Sequence, residues 1–385
     1  MPSGSRRAVV AYSAMGLGSV VHVVGARPNF VKMAPVIAAL EERGDVAQRI
    51  VHTGQHYDER MSAEMLSDLE FPEPDSFLGV GSGTHGAQTA RALEAFERCL
   101  LDEKPDLVCV GGDVNSTLAV ALAAAKLGIP IAHVEAGLRS FDWTMPEEIN
   151  RVLTDRLSHI LFTHSPEAAA NLTLEGIDPV RVRFVGNTMI DSLRRFQARA
   201  EERRPWEPLR LERGDYVLVT LHRPSNVDTG PQLRRIVDAL VGLAGHTRVI
   251  FPVHPRTTER LHAEGLLSSL VGAGVACMEP LGYLDFLGLQ IGAGAIVTDS
   301  GGVQEEASAL GVPCFTLRPN TERPVTISQG TNTLLGEDPA PIADIRPRQL
   351  EHRVARIEGW DGHAGQRAAE VIAVVLESRP AEVFA

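Results

Sequence analysis

Short apolar runs alternate with helical patterns along almost the whole of this 385-residue chain. The first series of strand-like runs covers residues 20–24, 49–53, 107–111 and 131–134. The second series covers residues 216–220, 248–253, 295–298 and 313–316. Strands that are separated by helices pair in parallel, because a parallel connection has to cross back over the sheet. The alternation therefore predicts an α/β fold with doubly wound, Rossmann-like parallel sheets.

Between the two series lies a segment, residues 197–214, that is rich in Arg, Glu and Pro and poor in large apolar side chains. The chain is long enough for two domains of ordinary size. We place the boundary just before this segment, near residues 186–191. The prediction is a loose tail at 1–19, an N-terminal domain at 20–187 and a C-terminal domain at 188–362, each Rossmann-like, followed by a terminal helical segment at 363–385.

The net charge of −12 argues against a nucleic-acid or membrane-surface partner. An anionic ligand would have to be held by local devices such as helix N-termini and single arginines. The four cysteines are scattered without a C-x-x-C pair, which is typical of reduced, buried thiols in a cytoplasmic protein. No apolar run approaches the ~20 residues that span a bilayer.

One strand runs directly into Ser300-Gly301-Gly302, where a helical pattern begins. Ser300 can cap that helix, and the two glycines allow an anion to approach the N–H groups at its N-terminus. Glu305 and Glu306 follow about one turn later, where a carboxylate suits a sugar hydroxyl better than a phosphate. The element predicts a site for a nucleotide diphosphate with its ribose, although an ordinary strand-to-helix turn has the same pattern.

In the first half, Arg27 and Lys32 lie near a helix start, where a cation gains nothing from the helix dipole. This favours a role toward an anion. Asp113 follows another strand and is either functional or simply an N-cap. Glu135 ends an apolar strand, and a buried carboxylate needs a partner or a raised pKa.

Further polar groups also follow strands or begin helices. Glu147 and Glu148 open a helix, where capping is a strong interpretation for one of the two. His222 ends the first strand of the second half, and Arg323 lies in a loop that is either functional or a solvated surface loop. Because ligands bind at the carboxyl ends of parallel strands, we expect these groups in the cleft between the domains.

No metal or cofactor is implied by the sequence. His52 and His56 have ligand spacing only on a helix, and Gly54 between them predicts a turn. There is no D-x-D triplet for a divalent cation. The segment G-L-G at residues 16–18 lacks the third glycine of a dinucleotide fingerprint, and a strand follows it where a helix is required.

Taken together, the motifs closely resemble those of the non-hydrolysing UDP-N-acetylglucosamine 2-epimerases. They occur in the family's order between Val20 and Leu335: G-A-R-P-N-F-V-K-M-A-P, T-G-Q-H, G-G-D-V-N-S-T, H-V-E-A-G-L-R, P-E-E-I-N-R, L-H-R-P-S-N, P-V-H-P-R, T-D-S-G-G-V-Q-E-E-A, and T-E-R-P followed by G-T-N. The resemblance implies the two-domain fold of nucleotide-sugar glycosyltransferases, with the last helix crossing back to the first domain, and a homodimer.

The resemblance also implies a mechanism. The enzyme removes the proton at C2 and expels UDP from C1, which gives a 2-acetamidoglucal; UDP then adds back while C2 is reprotonated from the opposite face. By motif matching, the acid/base carboxylates are Asp113, Glu135 and Glu147, and the essential histidine is His222. The residues implied for binding UDP and sugar are Arg27, Lys32, Arg139, His254, Phe286 (at the uracil), Ser300, Gly301, Gly302, Glu306 (at the ribose) and Arg323.

Two departures from the family pattern concern regulation. Only six residues separate Arg139 from Pro146, whereas many bacterial members have a longer segment ending in Tyr-Ser-Pro-Trp that helps to hold a second UDP-sugar as activator. Tyr57-Asp58 also differs from the regulated members. Both put allosteric activation in doubt.

The sequence leaves several functions open. The same chemistry could act on another sugar, such as a UDP-2,3-diacetamido uronic acid, or a hydrolysing epimerase could release free N-acetylmannosamine. A glycosyltransferase of the same fold and a non-catalytic nucleotide-sugar sensor are further alternatives. Three carboxylates with a histidine suit proton abstraction at carbon better than simple transfer.

Overall fold

The structure is a computed structural model that describes residues 16–54 and 65–378, with the backbone alone at Arg27. The chain divides into two compact units. The first unit contains Met1–Asp191 and Asp361–Ala385, and the second contains Ser192–Trp360. Both units are α/β, as the alternation predicts.

The first unit is built on a seven-stranded sheet, and all of its strand pairs are parallel. Its strands are β1 (Gly18–Val24), β2 (Val46–His52), β3 (Ser76–Phe77), β4 (Leu107–Gly111), β5 (Ile131–Val134), β6 (Ile160–Thr163) and β7 (Val182–Phe184). They lie in the order β3-β2-β1-β4-β5-β6-β7, which is the doubly wound order. The central strands β4 and β5 are buried along their whole length because helices cover both faces.

The helices of the first unit are α1 (Arg27–Arg43), α2 (His85–Glu103), α3 (Asn115–Lys126), α4 (Pro146–Leu157), α5 (Pro166–Leu174), the start of α6 (Thr188–Arg203), and a 3-10 turn at Pro179–Arg181. The terminal helix, named α14 after those of the second unit, spans Ala364–Glu377 and packs against α1. At their contact, Gly365 leaves no room for a side chain: a Cβ would lie 2.5 Å from the carbonyl oxygen of Pro35.

The second unit has a six-stranded parallel sheet in the order β10-β9-β8-β11-β12-β13. Its strands are β8 (Tyr216–Thr220), β9 (Arg248–Pro252), β10 (Ala276–Met278), β11 (Ala295–Thr298), β12 (Cys314–Thr316) and β13 (Asn332–Leu334). Its helices are α7 (Pro224–Val227), α8 (Gly230–Ala244), α9 (Pro255–Ala263), α10 (Leu267–Gly272), α11 (Tyr283–Gly292), α12 (Gly301–Leu310) and α13 (Val325–Ser328), with 3-10 turns at Ala340–Asp344 and Pro347–Gln349. Apolar clusters on both faces of this sheet form the core of the unit.

All eight predicted strands are present, with small shifts at their ends. β1 begins at Gly18, two residues inside the predicted tail, of which residues 1–15 lie outside the described part of the chain. The sequence did not predict β3, β6, β7, β10 and β13, which are two to four residues long and lie toward the sheet margins. Within the described ranges, no helix is long and apolar enough to cross a membrane.

Candidate active site

In the first unit, the predicted site residues follow three adjacent strands, β1, β4 and β5. Asn29 links the loop after β1 to the end of β4 by hydrogen bonds. Its Oδ1 accepts hydrogen bonds from the backbone N–H groups of Gly25 (3.1 Å) and Ala26 (2.9 Å), and its Nδ2 donates to the carbonyl oxygen of Gly111 (2.7 Å). The start of α1 is therefore fixed at the carboxyl edge of the sheet, where ligands bind in this fold.

Lys32 and Glu135 form a buried ion pair at this edge, with residue exposures of 5% and 7%. The burial of Glu135 is thus compensated by a cation, as the sequence argument required. Glu135 has a φ of 70°, so its backbone is in the left-handed region, which is uncommon for a non-glycine residue. Such conformations are found where a side chain must be held in one direction for function.

Gly112 makes room for this pair. Its φ is 68°, and a Cβ placed there would lie 3.0 Å from Nζ of Lys32 and 3.7 Å from Oε2 of Glu135. Any larger residue at position 112 would be strained and would push against the ammonium group.

Asp113 is bound by the first turns of α4. Nη1 of Arg151 lies 2.5 Å from Oδ2 of Asp113, and Nδ2 of Asn150 donates to the Asp113 carbonyl oxygen at 2.9 Å. The N-cap of α3 is Val114, so the alternative interpretation of Asp113 as an N-cap is wrong. The Asp113 carboxylate remains 22% exposed, which leaves it accessible to a ligand.

Glu147 and Glu148 have different environments although they are adjacent. Glu148 is buried and accepts hydrogen bonds from Ser140 (N and Oγ, both 2.9 Å), Phe141 (N, 2.9 Å) and Arg151 (Nη2, 2.9 Å). Glu148 therefore holds the preceding loop. Glu147 is only half-buried and forms no hydrogen bond or ion pair with any other described residue. It precedes Asn150 and Arg151 by three and four residues, so all three share one face of α4.

Arg139 lies in a buried network rather than on an open surface. Its guanidinium binds Glu175 at 2.6 and 2.7 Å and lies 2.8 Å from Asp155, which also lies 2.7 Å from Nδ1 of His133. Burial by itself would raise the pKa of Asp155, but the hydrogen bonds and charges of His133 and Arg139 lower it. These contacts hold the Arg139 guanidinium within the protein, and its role in binding the substrate stays a prediction.

In the second unit, Asp299 organises the loop that follows β8. Asp299 is fully buried and accepts hydrogen bonds from the backbone N–H groups of His222 (3.0 Å) and Arg223 (2.9 Å) and from Nδ2 of Asn226 (3.0 Å). Burial would raise its pKa, but the interactions with His222, Asn226 and Arg223 outweigh burial and lower it. An ionised acceptor is thus fixed beneath His222, whose side chain is 38% exposed.

Ser300, Gly301 and Gly302 stand at the N-terminus of α12, as predicted. The expected capping by the Ser300 hydroxyl is wrong: this residue occupies the N-cap position, but its side chain forms no capping bond. Its backbone N–H instead donates to Oγ1 of Thr298 at 2.9 Å. The first N–H groups of α12 are therefore not covered by a serine cap, which suits an anion-binding helix end.

Arg323 lies over this helix end. A Cβ on Gly301 would lie 2.3 Å from Nη1 of Arg323, so a larger residue at position 301 would displace the guanidinium from the helix end. Nε of Arg323 lies 2.9 Å from Glu305, and Nη1 lies 3.3 Å from Glu322. A cation at a helix N-terminus is unfavourable by itself, and these two carboxylates hold it in place.

Glu306 occupies a buried position one turn into α12. Its carboxylate accepts hydrogen bonds from the hydroxyl of Tyr283 (3.2 Å) and Nε2 of Gln290 (2.7 Å), both on α11. Burial raises the pKa of Glu306 to about 7, against the lowering effect of these two donors. Phe286 lies on the same helix, α11, and is partly buried against the core of this unit.

His254 lies near His222, with a separation of 5.4 Å between their ring centroids. It is the N-cap of α9, and its Nδ1 accepts a hydrogen bond from the backbone N–H of Arg256 at 3.3 Å. This bond fixes the ring orientation.

Some predicted features cannot be placed, and some site residues were not predicted. The side chain of Arg27 and the pair Tyr57-Asp58 lie outside the described residues. Asp299, Asn150 and Arg151 were not singled out, although each stands inside a motif quoted above. In the part of the chain that the structure describes, no group of three His, Cys, Asp or Glu side chains could hold a metal ion.

Comparison with known proteins gives a consistent set of relatives. The sequence model of the family described as UDP-N-acetylglucosamine 2-epimerase matches residues 38–373. A UDP-N-acetylglucosamine 2-epimerase of Methanococcus maripaludis is 43% identical over 357 residues, which cover 91% of this chain and 97% of that protein. A UDP-2,3-diacetamido-2,3-dideoxy-D-glucuronate 2-epimerase of Pseudomonas aeruginosa is 41% identical, with coverages of 92% and 99%.

A crystal structure of the Methanocaldococcus jannaschii UDP-GlcNAc 2-epimerase in complex with UDP-GlcNAc and UDP is also similar. It is 42% identical and superimposes with a TM-score of 0.86, over 92% of this chain and 99% of that one.

Proposed function

Because the chain belongs to the UDP-N-acetylglucosamine 2-epimerase family, we propose that it interconverts UDP-N-acetylglucosamine and UDP-N-acetylmannosamine. The C2 proton is removed, UDP leaves from C1 to give a 2-acetamidoglucal, and UDP adds back to C1 while C2 is reprotonated on the opposite face. The fold and the identities above 40% with named epimerases support this assignment.

The acid/base groups in this proposal are Asp113, Glu135 and Glu147. A C2 proton is weakly acidic, so the reaction needs a positioned base on one face and a positioned acid on the other. Lys32 holds Glu135 in place, and Arg151 holds Asp113. Of the two adjacent carboxylates, Glu148 is bound by other side chains, whereas Glu147 has no hydrogen-bond or ion-pair partner among the described residues. We therefore keep Glu147 as the third acid/base group.

The second unit binds the UDP part of the substrate in this proposal. The N–H groups of Gly301 and Gly302 and the hydroxyl of Ser300, together with Arg323 and, by the motif resemblance, Arg27, bind the diphosphate. Glu306 accepts hydrogen bonds from the ribose hydroxyls, and Phe286 lies at the uracil. His222, supported by Asp299 and next to His254, stabilises the charge that develops as UDP leaves C1.

One observation carries the proposal: Asp113, Glu135 and the free Glu147 come from three chain segments that meet at one edge of the first sheet. The test is an NMR time course of the purified protein with UDP-N-acetylglucosamine. We expect the manno epimer to appear while UDP stays attached. Release of free N-acetylmannosamine and UDP would indicate a hydrolysing epimerase, and an unchanged spectrum would contradict the proposal.

A second candidate substrate is a UDP-2,3-diacetamido uronic acid. The specific reason is the 41% identity to the Pseudomonas aeruginosa enzyme, which is close to the 43% identity to the Methanococcus maripaludis enzyme. Measuring kcat/KM for both nucleotide sugars shows which one is the better substrate, and we expect the higher value with UDP-N-acetylglucosamine.

We further propose that the protein is a homodimer. The support is a set of apolar side chains that are 40–72% exposed on α4 and in the loop before it: Phe141, Trp143, Ile149 and Leu153. Ile149 and Leu153 are four residues apart and so lie on the same face of α4. Sedimentation of the wild type and of Leu153→Glu tests this: the wild type should be dimeric and the variant monomeric.

A cytoplasmic location is also proposed, as the place where nucleotide sugars and reduced thiols occur together. The support is that Cys99, Cys109, Cys277 and Cys314 are all unpaired.

A further inference from the structure

The first unit contains a cavity of about 330 Å³ that none of the groups described above uses. It lies at the amino ends of β6 and β7, between the last turn of α4 and one side of α14. The acid/base groups lie at the carboxyl edge of the same sheet, so the cavity is on the other edge. It is lined by Arg156, Leu157, Ser158, His159, Ile160, Asp178, Val180, Arg181, Arg183, Val371 and Val375.

The polar lining of the cavity is predominantly cationic. Arg156, Arg181 and Arg183 face a single carboxylate, Asp178, which already accepts a hydrogen bond from the backbone N–H of Val180 at 2.9 Å. Arg156 and Arg183 are exposed and form no ion pair with any described residue. On a chain with a net charge of −12, this is a local concentration of positive charge.

Arg181 contributes a buried donor. Its Nη2 donates to the carbonyl oxygens of Asp155 and Arg156, each at 3.2 Å, and to that of Ser158. These bonds cover the negative end of α4. Nε of Arg181 is buried and has no hydrogen-bond partner within the described part of the chain. A buried donor without an acceptor is costly, and a nearby anion would offset part of this cost through the charge of the guanidinium.

The imidazole ring of His159 also lines the cavity, as a polar but uncharged group. Its Nδ1 accepts a hydrogen bond from the backbone N–H of Ile131 at 3.2 Å, so the ring proton is on Nε2. The rest of the lining is apolar and comes from Leu157, Ile160, Val180, Val371 and Val375.

We propose that this cavity binds a compact phosphate monoester. Several guanidinium groups match the three terminal oxygens of a phosphate, and the apolar side chains match a small organic group. The volume is near the lower limit of small-molecule sites, roughly 300–1,000 Å³, which favours a compact ligand. The site would be separate from the one that binds the nucleotide sugar.

The experiment is calorimetric titration of phenyl phosphate and of inorganic phosphate into the protein in the presence of saturating UDP, which fills the proposed nucleotide site. Phenyl phosphate should bind at least about threefold more tightly than inorganic phosphate, because its ring buries the apolar side chains that line the cavity. The variant Arg156→Ala/Arg183→Ala should lose at least about tenfold in affinity, since charge-assisted contacts are removed.

The matched control is Arg43→Ala/Arg98→Ala, which removes the same charge from the first unit outside the cavity. It should bind phenyl phosphate like the wild type. Asp178→Asn should raise the affinity for phenyl phosphate. The substitution removes the carboxylate that repels an anion, and the asparagine side chain can still accept the hydrogen bond from the backbone N–H of Val180. No binding to the wild type, an equal loss in the two double variants, or weaker binding to Asp178→Asn would each overturn the proposal.

Discussion

Oδ1 of Asp299 lies 3.1 Å from Nδ1 of His222, while the other carboxylate oxygen accepts the His222 backbone N–H at 3.0 Å. One buried carboxylate thus fixes both the ring and the backbone of the histidine proposed to act on the leaving UDP. Groups that orient a functional histidine in this way contribute strongly to its activity.

We expect Asp299→Asn to lower kcat by ~10–10²-fold with little change in UDP affinity, because the ring loses its charged partner. His222→Ala should lower kcat/KM by ~10²–10⁴-fold. The double variant should be no slower than His222→Ala alone, since Asp299 acts through the histidine. Steady-state kinetics checks this, and additive losses would show that Asp299 acts by another route. Thermal unfolding controls for the backbone bonds that Asp299 also accepts.

The adjacent residues Glu147 and Glu148 provide an internal comparison. Asp113→Asn, Glu135→Gln and Glu147→Gln should each lower kcat/KM by ~10²–10⁴-fold. For Glu147→Gln the melting temperature should stay the same, because its carboxylate has no partner among the described residues. Glu148→Gln should instead lower the free energy of unfolding by ~1–3 kcal/mol, because Ser140, Phe141 and Arg151 lose a charged acceptor. If Glu147→Gln keeps near-full activity, its acid/base role is wrong.

Glu306 should make the stability of the second unit depend on pH. Burial raises its pKa from 4.5 to about 7 in the folded protein. Between these values the unfolded chain releases the proton and the folded chain keeps it, so this contribution to stability is fully present below pH 4.5 and is lost as the pH rises through 7. The shift corresponds to a loss on the order of 3 kcal/mol.

Glu306→Gln removes this dependence. Relative to the wild type, its free energy of unfolding should rise progressively from pH 5 to pH 7.5 and then level off, as measured by urea unfolding at each pH. UDP affinity should fall in the same variant, because an acceptor for the ribose is lost. A stability difference that does not vary with pH would contradict the raised pKa.

Regulation follows from the short loop before α4. An activator site needs contacts that favour one conformational state, and otherwise its ligand shifts nothing. Here only residues 140–145 separate Arg139 from α4. We therefore predict hyperbolic kinetics in UDP-N-acetylglucosamine and a reverse reaction, started with the manno epimer alone, that proceeds without a lag. A Hill coefficient clearly above one would refute this.

Much of the fold was predictable from sequence because the central strands are continuous apolar runs that alternate with helical patterns. The strands that were missed, such as β3 and β10, are too short for a periodic pattern to develop. The candidate site residues were chosen on the same grounds, because most of them follow a strand or begin a helix.

The side chains that each candidate residue contacts were harder to predict than its position relative to the strands and helices. Lys32 and Glu135 are far apart in the sequence, so their pairing depends on strand order. The positive charge of Arg139 suggested a contact with the substrate. Only three-dimensional packing shows that Asp155 and Glu175 bind its guanidinium. Likewise, the sequence could not decide which of Glu147 and Glu148 holds the preceding loop, since a helix start favours both.

The measurement that tests the central claim most directly is the reaction of the purified protein with UDP-N-acetylglucosamine in D₂O, followed by proton NMR. Elimination and re-addition require C2 to lose its proton to a carboxylate that exchanges with solvent. We predict that deuterium enters C2 of both the gluco and the manno epimer as they equilibrate, with UDP still attached to each. Equilibrated epimers that keep protium at C2 would contradict the mechanism.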